Sequence, residues 1–270
     1  MPSSPFDLSG RVALVTGAGS AEGIGFAAAR LLGGMGAAVA VAATTDRAQD
    51  RAEELAAAGV RSCAVVADLT DEQQVRRVVA EVSEALGPPT VLVNNAGMTS
   101  VSVPAVDLDS STGGGESGSA EAMTYAQWRT SLARNLDSAF LVTREVLPEM
   151  RRQAWGRVVM VASVTGPVMA MRGETAYAAA KAGMVGLARS VAVDHAADGI
   201  TVNAVAPGWI ATGSQTADEV RQGGRTPLGR SGRAEEVAAA IGFLCSPGAS
   251  YLTGQCLVVD GGNSVGEERA

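Results

Sequence analysis

Residues 12–32 read VALVTGAGSAEGIGFAAARLL, and this stretch decides the fold. It begins with an apolar, β-branched run, Val12–Thr16, which is typical of a buried strand. Glycines then occupy positions 17, 19, 23 and 25, and an alanine-rich run that favours helix follows. Glycine lets the backbone come close to a pyrophosphate, and a helix N-terminus offers free N–H groups and a favourable dipole. The stretch therefore predicts a strand, a phosphate-holding turn and a helix.

Strands and helices alternate along the rest of the chain, which indicates an α/β protein built from βαβ units. Strands are predicted at residues 11–16, 37–43, 61–67, 90–93, 158–161, 200–206 and 255–260, and helices at 23–35, 47–58, 71–86, 124–152, 177–195 and 234–245. The second strand is apolar throughout, as a parallel strand buried on both faces must be. No linker divides the 270 residues, so we expect one domain over residues 1–270.

Charge and hydropathy exclude several classes of partner. The net charge of −7 and the sequence pI near 4.9 argue against nucleic acid or an anionic membrane surface as a main partner. The longest uncharged apolar stretch, residues 31–45, is interrupted by glycine and is too short to span a membrane. The first residues lack the basic and apolar regions of a signal peptide. We therefore expect a cytoplasmic protein with neither a nucleic-acid nor a membrane partner.

Cysteine and histidine provide no material for a metal site. Cys63, Cys245 and Cys256 are odd in number and widely scattered, so they form neither a disulfide framework nor metal-ligand spacing. The single histidine, His195, lies in a polar run where a helix is predicted to end. A histidine-based triad or a zinc site is therefore not expected, and we predict that no metal is bound.

A second informative stretch, residues 157–181, reads RVVMVASVTGPVMAMRGETAYAAAK. Tyr177 and Lys181 are four residues apart on a predicted helix and can face the same point, where Ser163 at the end of a strand can join them. A cation beside a phenol lowers its pKa, which suits the tyrosine to general acid/base work, and a serine hydroxyl can hold a carbonyl oxygen. The trio suits carbonyl protonation or alcohol deprotonation. The same Tyr-x-x-x-Lys spacing also occurs on helices whose long side chains merely cover surface.

Together with Asn94-Asn95-Ala96-Gly97, Asn135 and Pro207-Gly208, these motifs resemble the classical short-chain dehydrogenase/reductase family over about residues 8–263. The resemblance implies a single doubly wound Rossmann domain, with a parallel seven-stranded sheet, helices on both faces and a site at the carboxyl ends of the strands. It implies that hydride passes between a nicotinamide cofactor and a ketone or aldehyde or its alcohol. The partner is then a small-molecule substrate, and relatives that pair the helices carrying Asn135 and Tyr177 suggest a homotetramer or homodimer.

The resemblance also implies residue roles. Tyr177 protonates the substrate oxygen, Ser163 orients it, and Lys181 lowers the pKa of the tyrosine and binds the nicotinamide ribose. Asn135 holds a water that links Lys181 to solvent, and Asn95 is mostly structural. The implied cofactor contacts are Gly17, Gly19, Ser20, Gly23, Ile24, Gly25, Thr44, Thr45, Arg47, Asp68, Leu69, Asn95, Ala96, Gly97, Tyr177, Lys181, Pro207, Gly208, Ile210 and Thr212.

The end of the second strand favours NADP(H) over NAD(H). Family members that prefer NAD usually end this strand in an acid that bonds the adenosine ribose hydroxyls, and Ala43 occupies that place here. Thr44, Thr45 and Arg47 follow and can accept a 2′-phosphate without repulsion. Asp46 lies beyond the expected acid position and is interpreted as an exposed helix cap.

Two segments depart from the family pattern or vary within it. Residues 98–122 are about twice as long as the usual crossing, and a Gly/Ser-rich part at about 108–120 is expected to be a flexible insertion or a lid beside the substrate mouth. Residues 213–233 resemble the family's variable substrate-binding loop. Met169, Met171 and Arg172 either shape the pocket or pack.

Two rival functions stay open. A 3-oxoacyl-thioester reductase acting on acyl carrier protein would use the same motifs. A catalytically silent dinucleotide sensor or scaffold would keep the fold, but such proteins usually lose part of the Asn-Ser-Tyr-Lys set, which is complete here. The sequence does not name the substrate.

Overall fold

The structure is a computed structural model that describes residues 4–98 and 117–267. The predicted flexible insertion at about 108–120 lies outside the described residues except for its last part, 117–120. The strands are β1 (Val12–Thr16), β2 (Ala38–Ala43), β3 (Ser62–Val66), β4 (Val91–Asn94), β5 (Gly156–Val161), β6 (Ile200–Pro207), β7 (Ile210–Ala211), β8 (Gly232–Arg233) and β9 (Cys256–Val259). The helices are α1 (Ile24–Gly34), α2 (Arg47–Ala57), α3 (Glu72–Leu86), α4 (Tyr125–Leu132), α5 (Ser138–Arg152), α6 (Thr175–His195), α7 (Ala217–Gly223) and α8 (Ala234–Cys245).

The main sheet has seven parallel strands in the order β3-β2-β1-β4-β5-β6-β9. The chain builds outward from β1 to β3 in one direction, and from β4 onward it builds in the other. The strand order therefore reverses between β1 and β4, and open α/β sheets bind ligands at such a switch point, beyond the carboxyl ends of the strands. The predicted doubly wound parallel fold is confirmed.

Two apolar cores, one on each face of the sheet, explain the continuous apolar strands. In β1, Val12 and Leu14 join the core beneath α3, α5 and α6, whereas Ala13 and Val15 join the core beneath α1, α2 and α8. Side chains alternate between the faces of a strand, so a strand covered by helices on both sides is apolar at every position. This double burial fixes where each strand ends and hence which residues reach the carboxyl edge.

The predicted helix 124–152 is divided into two by a π-helical turn at Ala133–Asp137. Thr124 caps the first half, because its side chain accepts the Gln127 backbone N–H. The turn contains Asn135, and π turns inside helices are frequent at functional sites. The interruption was not predicted from the sequence.

The polar segment 213–233 is also more ordered than a loop. It contains α7, which begins with a capping box in which Thr216 and Glu219 satisfy each other's backbone N–H groups. The strand β8 at its end pairs with β7, just after β6. The segment therefore lies against the carboxyl edge of the sheet, close to the switch point.

Asp46 is exposed and occupies the N-cap position of α2, as predicted, but its side chain does not cap the helix. Asp46 has helical backbone angles, φ −60° and ψ −9°, and its side chain makes no capping hydrogen bond to α2. A capping side chain needs an extended backbone to reach the free N–H groups of the first turn. Among the described residues, no helix combines the length and apolar character needed to cross a membrane.

Candidate active site

A cleft of about 600 Å³ opens at the carboxyl edge of the sheet. Ten of the sequence-predicted site residues line it, namely Ile24, Asn95, Gly97, Ser163, Tyr177, Lys181, Pro207, Gly208, Ile210 and Thr212. They come from the start of α1, from α6, and from the chain that leaves β4, β5 and β6, which are neighbours in the sheet. The topology thus brings together residues that are far apart in the chain.

Ser163, Tyr177 and Lys181 meet in this cleft. Ser163, two residues beyond β5, lines the cleft beside Tyr177, and its hydroxyl lowers the pKa of the phenol through side-chain hydrogen bonding. The Lys181 ammonium lies 5.5 Å from the centroid of the Tyr177 ring, since both side chains leave the same face of α6. A carbonyl oxygen placed here would meet a hydroxyl pair and a nearby cation.

The pKa of Tyr177 is dominated by burial, and the lowering of that pKa by Lys181 stays a prediction. The pKa is raised overall to about 12, first by burial and then by the charges of Glu174 and Glu219, while side-chain hydrogen bonding with Ser163 lowers it. The tyrosine keeps contact with the cleft, yet protein surrounds most of its ring. Desolvation of the phenolate therefore favours the protonated phenol.

Lys181 is almost completely buried, with 2% of its surface exposed. Its Nζ donates to the Val161 carbonyl oxygen at 2.9 Å, at the end of β5. Because burial penalises the ammonium form, the pKa of Lys181 is lowered to about 8. Its Nζ also donates a weak hydrogen bond to Met184 Sδ at 3.6 Å, so one of its three N–H donors is left for another partner.

Asn135 lies in the π-helical turn and is fully buried. Its Nδ2 donates to the carbonyl oxygens of Met98 at 3.0 Å and Ser131 at 3.1 Å, while its Oδ1 has no partner among the described residues. A Cβ at Gly97 would sit 2.6 Å from that Oδ1 and 3.4 Å from Lys181 Nζ, so both atoms flank the same glycine. A buried polar atom without a partner suits an ordered water.

The glycine turn after β1 touches the end of β4 directly. Asn95 Nδ2 donates to the carbonyl oxygens of Thr16 at 3.1 Å and Gly17 at 3.0 Å. Gly17 has φ +64°, and a Cβ there would sit 2.7 Å from Ala96 Cα. Asn95 therefore has the structural role that the family resemblance implied. Glycine is needed at position 17 because its φ is positive and because a Cβ there would clash with Ala96.

The N-terminus of α1 fits a pyrophosphate. Gly23 precedes the helix without a side-chain cap, no acidic residue occupies the first turn, and Ile24 lines the cleft. Uncapped N–H groups and the positive end of the helix dipole are the donor set that binds phosphate. The residues present therefore fit the diphosphate of a dinucleotide, although Gly17, Gly19, Ser20, Gly23 and Gly25 lie beside the cleft rather than in its lining.

The end of β2 adjoins this turn. A Cβ at Gly19 would sit 2.9 Å from Ala43 Cβ and 3.5 Å from Arg47 Cβ. Thr44, Thr45 and Arg47 are exposed there, and Arg47 Nε donates to Thr45 Oγ1 at 3.1 Å. The predicted 2′-phosphate residues thus form one exposed group next to the glycine turn.

Asp68 and Leu69 follow β3, one strand further from the cleft. The Asp68 carboxylate accepts the Thr70 N–H at 2.9 Å and its hydroxyl at 2.8 Å, whereas Leu69 is buried in the core. Asp71, not Asp68, caps α3. The side chain of Leu69 therefore packs in the apolar core.

Sequence reasoning missed several residues of the cleft. The missed residues are Trp209, Gln215, Glu219, Gln222 and Asn263. The cleft is also lined by Met169, Met171 and Arg172, for which the sequence left pocket lining and packing as alternatives. The Thr216-x-x-Glu219 pattern could have predicted α7 and hence the position of Glu219. Nothing in the sequence signalled that Glu174, which immediately precedes α6, is buried.

The sequence of this chain is similar to those of known reductases and dehydrogenases. Residues 17–264 match the family model described as enoyl-(acyl carrier protein) reductase. The chain is 38% identical over 260 residues to a 3-oxoacyl-acyl-carrier-protein reductase of Pseudomonas aeruginosa, covering 94% of this chain and 98% of that protein. It is 40% identical over 256 residues to the cis-4-hydroxycyclohexanecarboxylate dehydrogenase of Sinomonas cyclohexanicum, covering 93% and 96%.

A solved structure shares both fold and length. It is a protein of Beutenbergia cavernae, provisionally described as an NAD(P)-dependent gluconate 5-dehydrogenase, with NADP bound at low occupancy. Its TM-score is 0.84 at 37% identity, over 96% of this chain and 98% of that chain.

The contact between Gly25 and Asn95 can be tested with matched alanine variants. In Gly25→Ala the new Cβ would sit 2.5 Å from Asn95 Nδ2 and 2.8 Å from the Gly17 carbonyl oxygen. We expect a loss of stability of about 1–3 kcal/mol, typical of overpacking, and at least roughly tenfold weaker dinucleotide binding. Gly34→Ala, at the other end of α1, meets no atom within 4 Å and is the control. Thermal denaturation and fluorescence titration with NADPH measure both effects, and equal behaviour of the two variants would contradict the prediction.

Proposed function

The chain belongs to the classical short-chain dehydrogenase/reductase family and is an NAD(P)-dependent oxidoreductase that interconverts a carbonyl compound and its alcohol, and from this premise we propose an NADPH-dependent carbonyl reductase with Tyr177 as proton donor. The observation that carries the proposal is that Ser163, Tyr177 and Lys181 line one cleft, with the Lys181 ammonium 5.5 Å from the centroid of the phenol ring. A carbonyl group that accepts hydride needs a proton at its oxygen, and these groups lie together to provide it.

Each residue has a distinct part. A nicotinamide cofactor, when bound, supplies the hydride that reaches the carbonyl carbon. The Ser163 hydroxyl orients the substrate oxygen, and the Tyr177 hydroxyl donates its proton to that oxygen. Lys181 binds the nicotinamide ribose through the N–H donor that is not used by Val161 and Met184, and its charge stabilises the phenolate that forms. Asn135 Oδ1 holds the water through which the proton is replaced.

The preference for NADP(H) is part of the proposal. No carboxylate ends β2, so a 2′-phosphate meets Ala43 and the hydroxyls of Thr44 and Thr45 without repulsion. Arg47 is already turned towards Thr45 by its hydrogen bond, and the structure shows no ion pair for it among the described residues. Both features support a phosphate-accepting group at this edge.

Two substrate classes remain as candidates. The dehydrogenase of Sinomonas cyclohexanicum acts on a small hydroxy acid, and the reductase of Pseudomonas aeruginosa acts on a 3-oxoacyl thioester of acyl carrier protein. We favour a small free carbonyl compound because the cleft is lined by polar side chains, among them Gln215, Glu219 and Gln222. The thioester is the second candidate, on the strength of the 38% identity to the acyl-carrier-protein reductase.

Tyr177→Phe tests the proposed proton donor. We expect turnover to fall at least about a hundredfold, within the range general acid catalysis contributes, while NADPH affinity stays within a few-fold because only the hydroxyl is lost. The assay is loss of NADPH absorbance with parallel panels of free ketones and 3-oxoacyl thioesters. Retained turnover would overturn the assignment of Tyr177, and faster turnover with thioesters would select the second substrate class.

Arg47→Ala tests the cofactor preference. A charge-assisted bond to the 2′-phosphate contributes about 1.5–3 kcal/mol, so NADPH should bind roughly ten- to a hundredfold more weakly while NADH is unaffected. Arg152→Ala, at the exposed end of α5 on the opposite edge of the sheet, is the control. Steady-state kinetics with NADPH and with NADH, for the native protein and both variants, measure the cofactor preference. Equal losses with NADPH and NADH would mean that Arg47 is structural, and better efficiency of the native protein with NADH would refute the preference.

We also propose that the protein is a homodimer or homotetramer joined through α5, α6 and the edge of the sheet. Phe140 on α5 and Val193 on α6 are 45% and 81% exposed, and Leu257 on the edge strand β9 is 42% exposed. Exposed apolar residues on helices and on an unpaired edge strand favour association with a second copy. Light scattering at micromolar concentration should give a dimer or tetramer, and Phe140→Asp should lower the mass. A stable monomer would contradict the proposal.

A further inference from the structure

One cation that lines the cleft has no part in the proposed mechanism. Among the described residues, Lys181 and Arg172 are the positively charged side chains of the lining, and only Lys181 belongs to the catalytic set. We propose that Arg172 is a specificity-determining residue that binds a carboxylate of the substrate, so that the substrate is an oxo acid or the corresponding hydroxy acid. The inference rests on the proposed carbonyl reduction at Tyr177 and names the class of compound that is reduced.

The backbone holds Arg172 beside the reacting groups. The residue lies between β5 and α6, just before the helix that carries the proposed proton donor. The Met171 carbonyl oxygen accepts the Glu174 N–H at 3.4 Å, and the Gly173 carbonyl oxygen accepts the Gly118 N–H at 2.6 Å. Hydrogen bonds on both sides of residue 172 therefore fix the point from which its exposed side chain leaves the backbone.

The guanidinium of Arg172 has no protein partner. Within the part of the chain that the structure describes, its side chain makes no hydrogen bond, ion pair or ring contact. Other arginines on this side of the molecule are paired: Arg221 on α7 pairs with Asp218. Arg230, between α7 and α8, pairs with Glu236. A guanidinium offers five N–H donors in a planar fork that matches both oxygens of a carboxylate, so this fork is available to an acid that enters the cleft.

The two other charged side chains of the described lining determine where a carboxylate can lie. Glu219 Oε2 accepts the Thr216 N–H at 2.7 Å, so its charge stays on the wall formed by α7 and repels an acid from there. Lys181 keeps its positive charge while it donates to a neutral carbonyl oxygen, and it attracts any anionic substrate. Its ammonium lies beside the Tyr177 ring, where the carbonyl oxygen must bind for reaction. The carboxylate of a productively bound oxo acid is therefore directed to Arg172.

Arg172→Gln tests the inference in the full-length enzyme with NADPH. The probes are linear and cyclic oxo acids, each paired with its own primary amide, which has nearly the same shape but no charge. The measured quantity is kcat/KM for the acid divided by kcat/KM for its amide. Arg172→Gln should lower this ratio roughly three- to thirtyfold, mainly through KM, because an arginine–carboxylate bond that stays partly open to water is weaker than a buried one. Arg172→Lys keeps the charge without the fork and should lower the ratio less.

Two controls separate a local contact from a general effect of charge. Arg225→Gln removes the same charge from an exposed arginine just after α7 that does not line the cleft, and it should leave the ratio unchanged. Raising the salt concentration should lower the ratio of the native enzyme towards that of Arg172→Gln, because salt screens an exposed pair. The ratio of the variant should change little with salt. Arg172→Gln replaces an exposed side chain without protein partners, so the variant should fold.

The outcomes separate this inference from the proposed function. If the native enzyme reduces no carbonyl compound with NADPH, the proposed function itself fails. If it reduces ketones but is equally efficient with acids and their amides, or prefers uncharged 3-oxoacyl thioesters, only the inference is overturned. An Arg172→Gln variant that loses the same factor with acid and amide, or that binds NADPH more weakly without a change in the ratio, also overturns it, because the arginine would then act on the fold or the cofactor.

Discussion

The site depends on the close contact between the glycine turn after β1 and the chain that leaves β4. The Thr16 hydroxyl accepts the backbone N–H groups of Asn95 and Ala96, each at 3.0 Å, and the Asn95 amide bonds back to the turn. Side chains at Gly17 or Gly25 would occupy the space that makes these bonds possible. The proposed phosphate site and the proposed proton-transfer site both adjoin this contact, so their relative position would be set by backbone packing rather than by flexible side chains.

The parallel sheet determines which side chains can gather at this edge. Val93 and Val159 are register partners in β4 and β5, so Asn95, Gly97 and Ser163 leave neighbouring strands at similar depth. α6 then returns along the sheet and places Tyr177 and Lys181 over the same point. Because the helix is held by apolar residues such as Met184 and Ala188 in the core, the two polar side chains have little freedom to move away. Such pre-organisation reduces the rearrangement needed when charge develops on the substrate oxygen.

The sequence predicted the elements well, because apolar runs bounded by glycine and polar residues mark buried strands without reference to the rest of the chain. Predicted strand boundaries agree with the structure to within one residue or two, as in β2 and β6. Features that depend on distant contacts were not predictable. The π-helical turn places Asn135 against Gly97, which belongs to a distant part of the chain. Glu174 is buried and accepts a hydrogen bond from Ser117, which lies 57 residues away in the chain. The burial of Tyr177, which has the largest effect on its pKa, was not predictable for the same reason, since a motif shows the lysine but not what packs around the ring.

Burial acts in opposite directions on the two ionisable groups that flank Tyr177 in the chain. It disfavours the charged form of each group, lowering the pKa of Lys181 to about 8 and raising that of Glu174 to about 7. Each side chain is nevertheless held by a hydrogen bond to a neutral group, Lys181 Nζ by the Val161 carbonyl oxygen and Glu174 Oε1 by the Ser117 hydroxyl. The packing that makes these groups costly to ionise therefore also fixes their positions, so the proposed proton transfer would take place among side chains that cannot move away from one another.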